Sequence, residues 1–210
     1  TQSVLTDGEK IRPKSTIGHI SGNAIDILQA ERVALNFIQH LSGIATETAH
    51  YVDAVKGLPV RIVDTRKTIP GLRALQKYAV TVGGGHNHRQ NLGDGILIKD
   101  NHIAALATHG LSLSDAVWRA LREAPHTLKV EVEVETLEQA QEALDAGAHI
   151  LLLDNMSEDL MQQITTLCNG RVITEASGGI KLNNVRAVAE TGVNYISIGA
   201  LTHSVRSADI

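Results

Sequence analysis

The stretch VEVEVETLEQAQEALDAGAHILLLDN, residues 130–155, decides the fold. Val130 to Glu135 alternates apolar and acidic residues with period two, the pattern of a strand. Leu137 to Ala146 carries its apolar residues at helical spacing and ends at Gly147, a residue suited to close a helix. Ile150-Leu151-Leu152-Leu153 is apolar on both faces and stops abruptly at Asp154. A short strand that is apolar on both sides belongs in a parallel sheet covered by helices.

The same unit repeats in both directions. Toward the C-terminus, a helix over Asp159–Leu167 precedes Val172-Ile173-Thr174-Glu175, which stops at Ala176-Ser177-Gly178-Gly179. A helix over Asn184–Glu190, ended by Gly192, then leads to Tyr195-Ile196-Ser197-Ile198, which stops at Gly199. Toward the N-terminus lie a helix over Leu113–Glu123, the strand Gly95-Ile96-Leu97-Ile98 ending at Lys99-Asp100, a helix opened by Pro70, and Arg61-Ile62-Val63 ending at Asp64. No GxGxxG follows the first of these strands, and nearly every strand ends on polar or small residues. That distribution predicts an α/β barrel with one ligand-collecting rim, rather than an open sheet with a single switch point. Before the barrel, Ile25 to Leu41 reads as a helix ending at Ser42-Gly43, and Thr46–Lys56 as a second one. The first 30 residues read as small β-structure with turns at Asp7-Gly8 and Ser21-Gly22-Asn23, beginning abruptly.

Composition narrows the function. The net charge is −4 and aromatic residues make up 2% of the chain, so neither a basic field nor a base-stacking platform for nucleic acid is present. No apolar run approaches the roughly 18 residues of a membrane span. The single cysteine, Cys168, cannot form an internal disulfide, which points to the cytoplasm. Positive charge gathers in one segment, where Arg61, Arg66, Lys67, Arg73, Lys77, Arg89 and Lys99 accompany His86 and His88. A mildly acidic protein with one basic segment suggests a local site for a small anion.

Arg66 and Lys67 follow a strand end directly, flanked by Asp64, Thr65 and Thr68. Adjacent cations there repel unless an anion joins them, and arginine offers carboxylate or phosphate a planar fork. Gly83-Gly84-Gly85-His86-Asn87-His88-Arg89 reads as a flexible turn and polar cluster suited to an anion. Its two histidines also fit zinc, but no cysteine or HExxH accompanies them. Lys99 ends an apolar strand, where a lysine forms a Schiff base or binds an anion; the cations earlier in the chain favour the anion. Glu131, Glu133 and Glu135 share one strand face, and Asp154 ends the next strand. A carboxylate from each could hold Mg2+, bond sugar hydroxyls or stabilise a cationic transition state. Ser177-Gly178-Gly179 and Ser197-Ile198-Gly199-Ala200 leave backbone N–H groups free for a phosphate, as loops after the last strands of barrels often do, although helix capping would use the same residues.

Six segments in order, namely AERVALNFIQHLSGIAT (30–46), DTRKTIPGLRALQKYAV (64–80), GGGHNHRQNLGDGILIKDNH (83–102), EVEVETLEQA (131–140), LLLDN (151–155) and EASGGI (175–180), resemble the quinolinate phosphoribosyltransferase family. The resemblance runs from about residue 5 to the end. It implies an open or irregular TIM-like (β/α) barrel over residues 37–200. Residues 1–36 would be the remainder of an N-terminal α/β sandwich domain with its linking helix, and residues 201–210 a tail returning toward that domain. The family runs longer, so the resemblance also implies that most of the sandwich and the last strand lie outside this sequence. It further implies transfer of phosphoribose from phosphoribosyl pyrophosphate to quinolinate in NAD synthesis, releasing pyrophosphate and CO2, with Mg2+ carried mainly by the substrate phosphates near Glu133 and Asp154. By resemblance, Arg66, His88, Arg89 and Lys99 hold the quinolinate carboxylates, and Thr65 lies in the same substrate site. Lys67 lies between the two substrates, and Lys67, Glu133 and Asp154 carry the chemistry. Ser177, Gly178, Gly179 and Gly199 take the 5′-phosphate. Arg32 reaches the active site of a second subunit in a homodimer. Two other readings compete with this one: a barrel lyase using Lys99 as its Schiff base, and a fragment that binds ligand without turnover.

Overall fold

The computed structural model describes residues 2–210. Strands β1 (Gln2–Ser3) and β2 (Gly18–His19) form a small antiparallel pair. They are followed by the long helix α1 (Ala24–Ala54), capped by Asn23, whose side chain accepts from Ile25 N at 2.8 Å. The alternating part comprises β3 (Arg61–Val63), α2 (Arg73–Val82), β4 (Ile96–Ile98), α3 (Asp100–Ala107), α4 (Leu113–Glu123), β5 (Val130–Val134) and α5 (Leu137–Asp145). It continues through β6 (Ile150–Asp154), α6 (Glu158–Cys168), β7 (Ile173–Ser177), α7 (Val185–Glu190), β8 (Tyr195–Ser197) and α8 (Ala200–His203).

The six parallel strands pair in the order β3-β8-β7-β6-β5-β4. The first strand of the series therefore lies beside the last, a cyclic order that a barrel produces and a doubly wound sheet does not. His86 adds one parallel bridge to Val63 outside β3, and no hydrogen-bonded pair joins that edge to β4 among the described residues. The barrel is thus open, and all six strands deliver their C-terminal ends to one rim. Val132, Val134, Leu151, Leu153, Ala176 and Ile196 are fully buried in the core. Each large one contributes about 1.5–3 kcal/mol by leaving water. No helix among the described residues is long and apolar enough to cross a membrane.

Three local readings change. The helix expected to stop at Ser42-Gly43 runs on to Ala54. Gly43 is required by packing rather than termination: a Cβ there would stand 2.3 Å from Arg206 O, because the C-terminal segment crosses α1 at that point. The same segment is tied down by Ala208 N donating to Gln39 O at 2.9 Å. Pro70 does not open α2. Gly71, at φ +79°, makes a turn, and the helix begins two residues later. Finally, α3 and α8 form where no helix is predicted.

Candidate functional site

Asp64, Lys99 and Asp154 stand at or just after the ends of β3, β4 and β6, and Ser177 ends β7. The loop after β3 is braced from several sides. Arg73 donates to Thr68 Oγ1 (3.0 Å), Gln90 O (3.0 Å) and Arg66 O (3.3 Å). Thr65 Oγ1 accepts from Lys67 N (3.1 Å), and Thr202 Oγ1 donates to Lys67 O (2.7 Å), which ties the loop to α8. A Cβ on Gly199 would lie 3.3 Å from Lys67 Cδ, so Lys67 and Gly199 are neighbours.

Asp64 has a different part from the one the sequence suggests. It is fully buried and paired with Lys77, which is 1% exposed. Lys77 Nζ also donates to His88 O (3.0 Å), and Asp64 Oδ1 accepts from His88 N (2.8 Å). Asn87, with its amide nitrogen turned inward, donates to Asp64 Oδ2 (2.8 Å) and Lys77 O (3.0 Å). Burial pushes the Asp64 carboxyl up, opposed by Lys77 and the His88 amide. This ion pair fastens residues 87–88 to the end of β3, so Lys77 is occupied inside the protein and does not belong with the free cations of its segment.

Arg61 starts β3, at the end away from the rim, and Arg73 braces the loop, so the cations left near the rim are Arg66, Lys67, Arg89 and Lys99. Arg66 carries buried Nε and Nη1 atoms with no hydrogen-bond partner. Arg89 donates to Gly95 O (3.0 Å). Burial and the Arg66 charge lower its pKa, with Glu131 opposing. Two partly buried guanidinium groups that repel each other, one with unused donors, are chemically suited to an anion. Lys99 faces Glu133 at 4.0 Å. Burial raises the Glu133 pKa, Lys99 lowers it and Asp154 raises it, so Glu133 and Asp154 feel one another across neighbouring strands. Just after β7, Gly178 (φ +86°) packs so closely on Asn155 that a Cβ would meet Asn155 Oδ1 at 2.2 Å. Asn155 N donates to Ser177 O (2.9 Å) and its side chain to Asp154 Oδ2 (2.6 Å), which joins the Ser177-Gly178-Gly179 loop to the carboxylate wall. Arg32 is exposed on α1 and has no hydrogen bond or ion pair to any of these groups.

His88 is held by both ring nitrogens. Nδ1 accepts from Arg89 N (2.8 Å), and Nε2 lies 3.4 Å from Glu131 and 3.5 Å from Glu175.

The chain can now be set beside known proteins. The sequence profile described as "Quinolinate phosphoribosyl transferase, C-terminal domain" matches residues 44–210, and that described as its N-terminal domain matches residues 1–42. This chain belongs to the quinolinate phosphoribosyltransferase family. A Mycobacterium leprae nicotinate-nucleotide pyrophosphorylase (carboxylating) is 48% identical over 98% of this chain and 72% of its own length. A mitochondrial quinolinate phosphoribosyltransferase (decarboxylating) of Nicotiana tabacum is 43% identical over 98% of this chain and 62% of its own. The crystal structure of NadC from Streptococcus pyogenes superposes with a TM-score of 0.92 at 46% identity, covering 98% of this chain and 71% of that one.

In this member of the quinolinate phosphoribosyltransferase family, sequence reasoning did not single out Glu175, Asn87 or the pairing of Asp64 with Lys77, and named Glu131 only as one of three glutamates on a strand face. Glu131 carried a signal, because it shares a strand face with Glu133. Glu175 ended an apolar run, the same cue that picked out Asp154. Nothing in the sequence couples Lys77 to Asp64.

Proposed function

We propose that this chain transfers phosphoribose from phosphoribosyl pyrophosphate to quinolinate, giving nicotinate mononucleotide, pyrophosphate and CO2. The observation that carries this reading is the Arg66–Arg89 pair, two repelling guanidinium groups with buried, unused donors on Arg66. A dicarboxylate answers that need better than a single charge. Arg66, Arg89 and Lys99 grip the quinolinate carboxylates, with Thr65 and His88 flanking them. Lys67 stands between the dicarboxylate and the sugar phosphate. Ser177, Gly178, Gly179 and Gly199 cradle the 5′-phosphate, and Glu133 and Asp154 face the ribose.

The pyridine nitrogen attacks ribose C1 as pyrophosphate leaves, so no general base is needed. Positive charge grows on the ribose ring and is stabilised by Glu133 and Asp154, while the cations hold quinolinate in line. The two coupled carboxylates also suit a cation beside the phosphates. Mg2+ held with the substrate phosphates beside Glu133 and Asp154 would supply charge neutralisation to the leaving pyrophosphate. After the bond forms, the pyridinium ring accepts the electron pair released by loss of the adjacent carboxylate.

Lys99 does not fit the Schiff-base reading. Its side chain is 46% exposed and faces Glu133, whereas a Schiff-base lysine is activated by an apolar pocket or a neighbouring cation. Borohydride with a carbonyl substrate is expected to trap nothing on Lys99.

A second copy of the chain completes the site. Ile25, Leu28 and Arg32 lie on one face of α1, where Ile25 is 65% and Leu28 72% exposed, an apolar stripe that a partner would cover. Arg32→Ala and Arg66→Ala, each inactive alone, are expected to regain activity when mixed, because one mixed site then holds both arginines. No recovery in the mixture would overturn the shared site. The single cysteine, Cys168, buried and free, accords with a cytoplasmic setting. The direct assay of the function is release of pyrophosphate and CO2 from the two substrates.

A further inference from the structure

Among the described residues, Lys14, Asn155 and Asn169 are the ones other than glycine with positive φ. Lys14 lies in an exposed turn. Asn169 closes helix α6 in the left-handed conformation, an ordinary place for asparagine. Asn155 has no such task. It stands just past β6 at φ +51°, and the helix that follows has its own cap in Ser157, whose hydroxyl accepts from Leu160 N at 3.3 Å. A residue with a side chain in this region costs backbone energy and persists only where its surroundings hold it.

The rim is what holds it. The Asn155 main-chain N–H donates to Ser177 O at 2.9 Å. Its side-chain amide donates to Asp154 Oδ2 at 2.6 Å, and that is the hydrogen bond the Asp154 carboxylate makes among the described residues. Its Oδ1 occupies the place a side chain at residue 178 would take, since a Cβ on Gly178 would come within 2.2 Å of that oxygen and 2.9 Å of Asn155 N. One planar amide therefore touches both the carboxylate wall and the glycine loop. The donor is also of the right kind. An amide bonds a carboxylate without cancelling its charge, as a lysine would, and it sets no anion beside the loop, as a carboxylate would.

We propose that Asn155 is a positioning residue that fixes the distance between the Asp154 carboxylate and the Ser177-Gly178-Gly179 loop, matching it to a ribose 5-phosphate. This rests on the phosphoribosyl-transfer reading, in which Asp154 faces the ribose and the loop takes the 5′-phosphate. Both groups then serve one substrate, and its ring hydroxyls and phosphate are joined by a short covalent span. Two walls locked at that span bind both ends together. Walls that shift independently must be ordered on binding, with a loss of affinity and of alignment at ribose C1. A turn alone would need nothing of the amide, because glycine adopts the left-handed conformation more readily than asparagine.

Asn155→Gly separates the two roles, since it keeps the turn and removes the amide. Turnover with phosphoribosyl pyrophosphate is measured for the wild type, Asn155→Gly and Asn155→Asp, with a thermal melt of each and calorimetry of quinolinate and of unreactive ribose 5-phosphate. Asn155→Gly is expected to melt near the wild-type temperature and to bind quinolinate as before. Its kcat/KM for phosphoribosyl pyrophosphate is expected to fall about tenfold to a hundredfold, and its affinity for ribose 5-phosphate to fall with it. Asn155→Asp keeps the size and tolerates the turn, but it sets a second carboxylate beside Asp154 and the loop, so its losses are expected to be larger. Wild-type behaviour of Asn155→Gly toward both phosphorylated ligands would show that the residue serves the turn alone and would overturn the proposal. Equal losses for quinolinate and ribose 5-phosphate would overturn it too, by showing a general disturbance of the rim. Should Asn155→Gly fail to fold, Asn155→Asp carries the same comparison. Absence of turnover in the wild type would instead overturn the transfer reading, and the ribose 5-phosphate series would still decide the role of Asn155. No binding of ribose 5-phosphate to the wild type would overturn both.

Discussion

Lys77→Met is expected to lower stability by about 3–5 kcal/mol, because it leaves the Asp64 carboxylate buried without its cation. Asp64 is fully buried and Lys77 nearly so, and water cannot reach in to compensate without opening the end of β3. The loss extends to the site, since Lys77 also holds the His88 carbonyl, while Asp64 holds the His88 amide and the Asn87 side chain. Urea unfolding of the variant reports the first effect, and quinolinate affinity of the folded fraction the second. The double variant Asp64→Asn with Lys77→Met removes both charges and is expected to recover much of the stability, giving a large coupling energy in a double-mutant cycle. A cost below about 1 kcal/mol for Lys77→Met would mean that the pair behaves like a solvated surface bridge.

Arg66→Ala has the opposite profile. Its Nε and Nη1 make no hydrogen bond within the protein, and its charge works against Arg89, so removing the side chain takes away a repulsion and no internal contact of those atoms. The melting temperature is expected to hold or rise slightly. Quinolinate affinity is expected to fall about 100-fold or more, the scale of losing a charge-assisted, two-pronged bond in a partly buried site. Calorimetry gives the affinity and a thermal melt the stability. Affinity retained in the folded variant would remove Arg66 from the substrate site. Binding and stability separate here because the residue is held ready for a ligand, whereas Lys77 is held for the fold.

The barrel was legible because its strands are short apolar runs that break off at polar or small residues, and each break marks the rim. The cations of the proposed site stand out for the same reason: Arg66 and Lys99 follow closely on such breaks. What escaped depends on depth and on distant contacts. Glu131, Glu133 and Glu135 form one stripe in the sequence, yet the barrel buries the first, leaves the second partly buried and the third in solvent. Only the layering of side chains inside the barrel distinguishes them. Lys77 reads as one more cation in a basic segment until α2 turns it onto Asp64. Gly43 reads as a helix stop because the segment that crosses it, near Arg206, lies far along the chain. Glycine is therefore needed at position 43 for a reason that no local window contains.

In the proposed reaction Arg66, Arg89 and Lys99 receive a dicarboxylate beside a phosphoribosyl site. The reaction is tested most directly by measuring CO2 released from carboxyl-labelled quinolinate with and without phosphoribosyl pyrophosphate and Mg2+. CO2 is expected only when both substrates are present, matched by an equal amount of pyrophosphate and of nicotinate mononucleotide. Quinolinate bound without any CO2 or pyrophosphate appearing would contradict it and leave a ligand-binding protein without turnover.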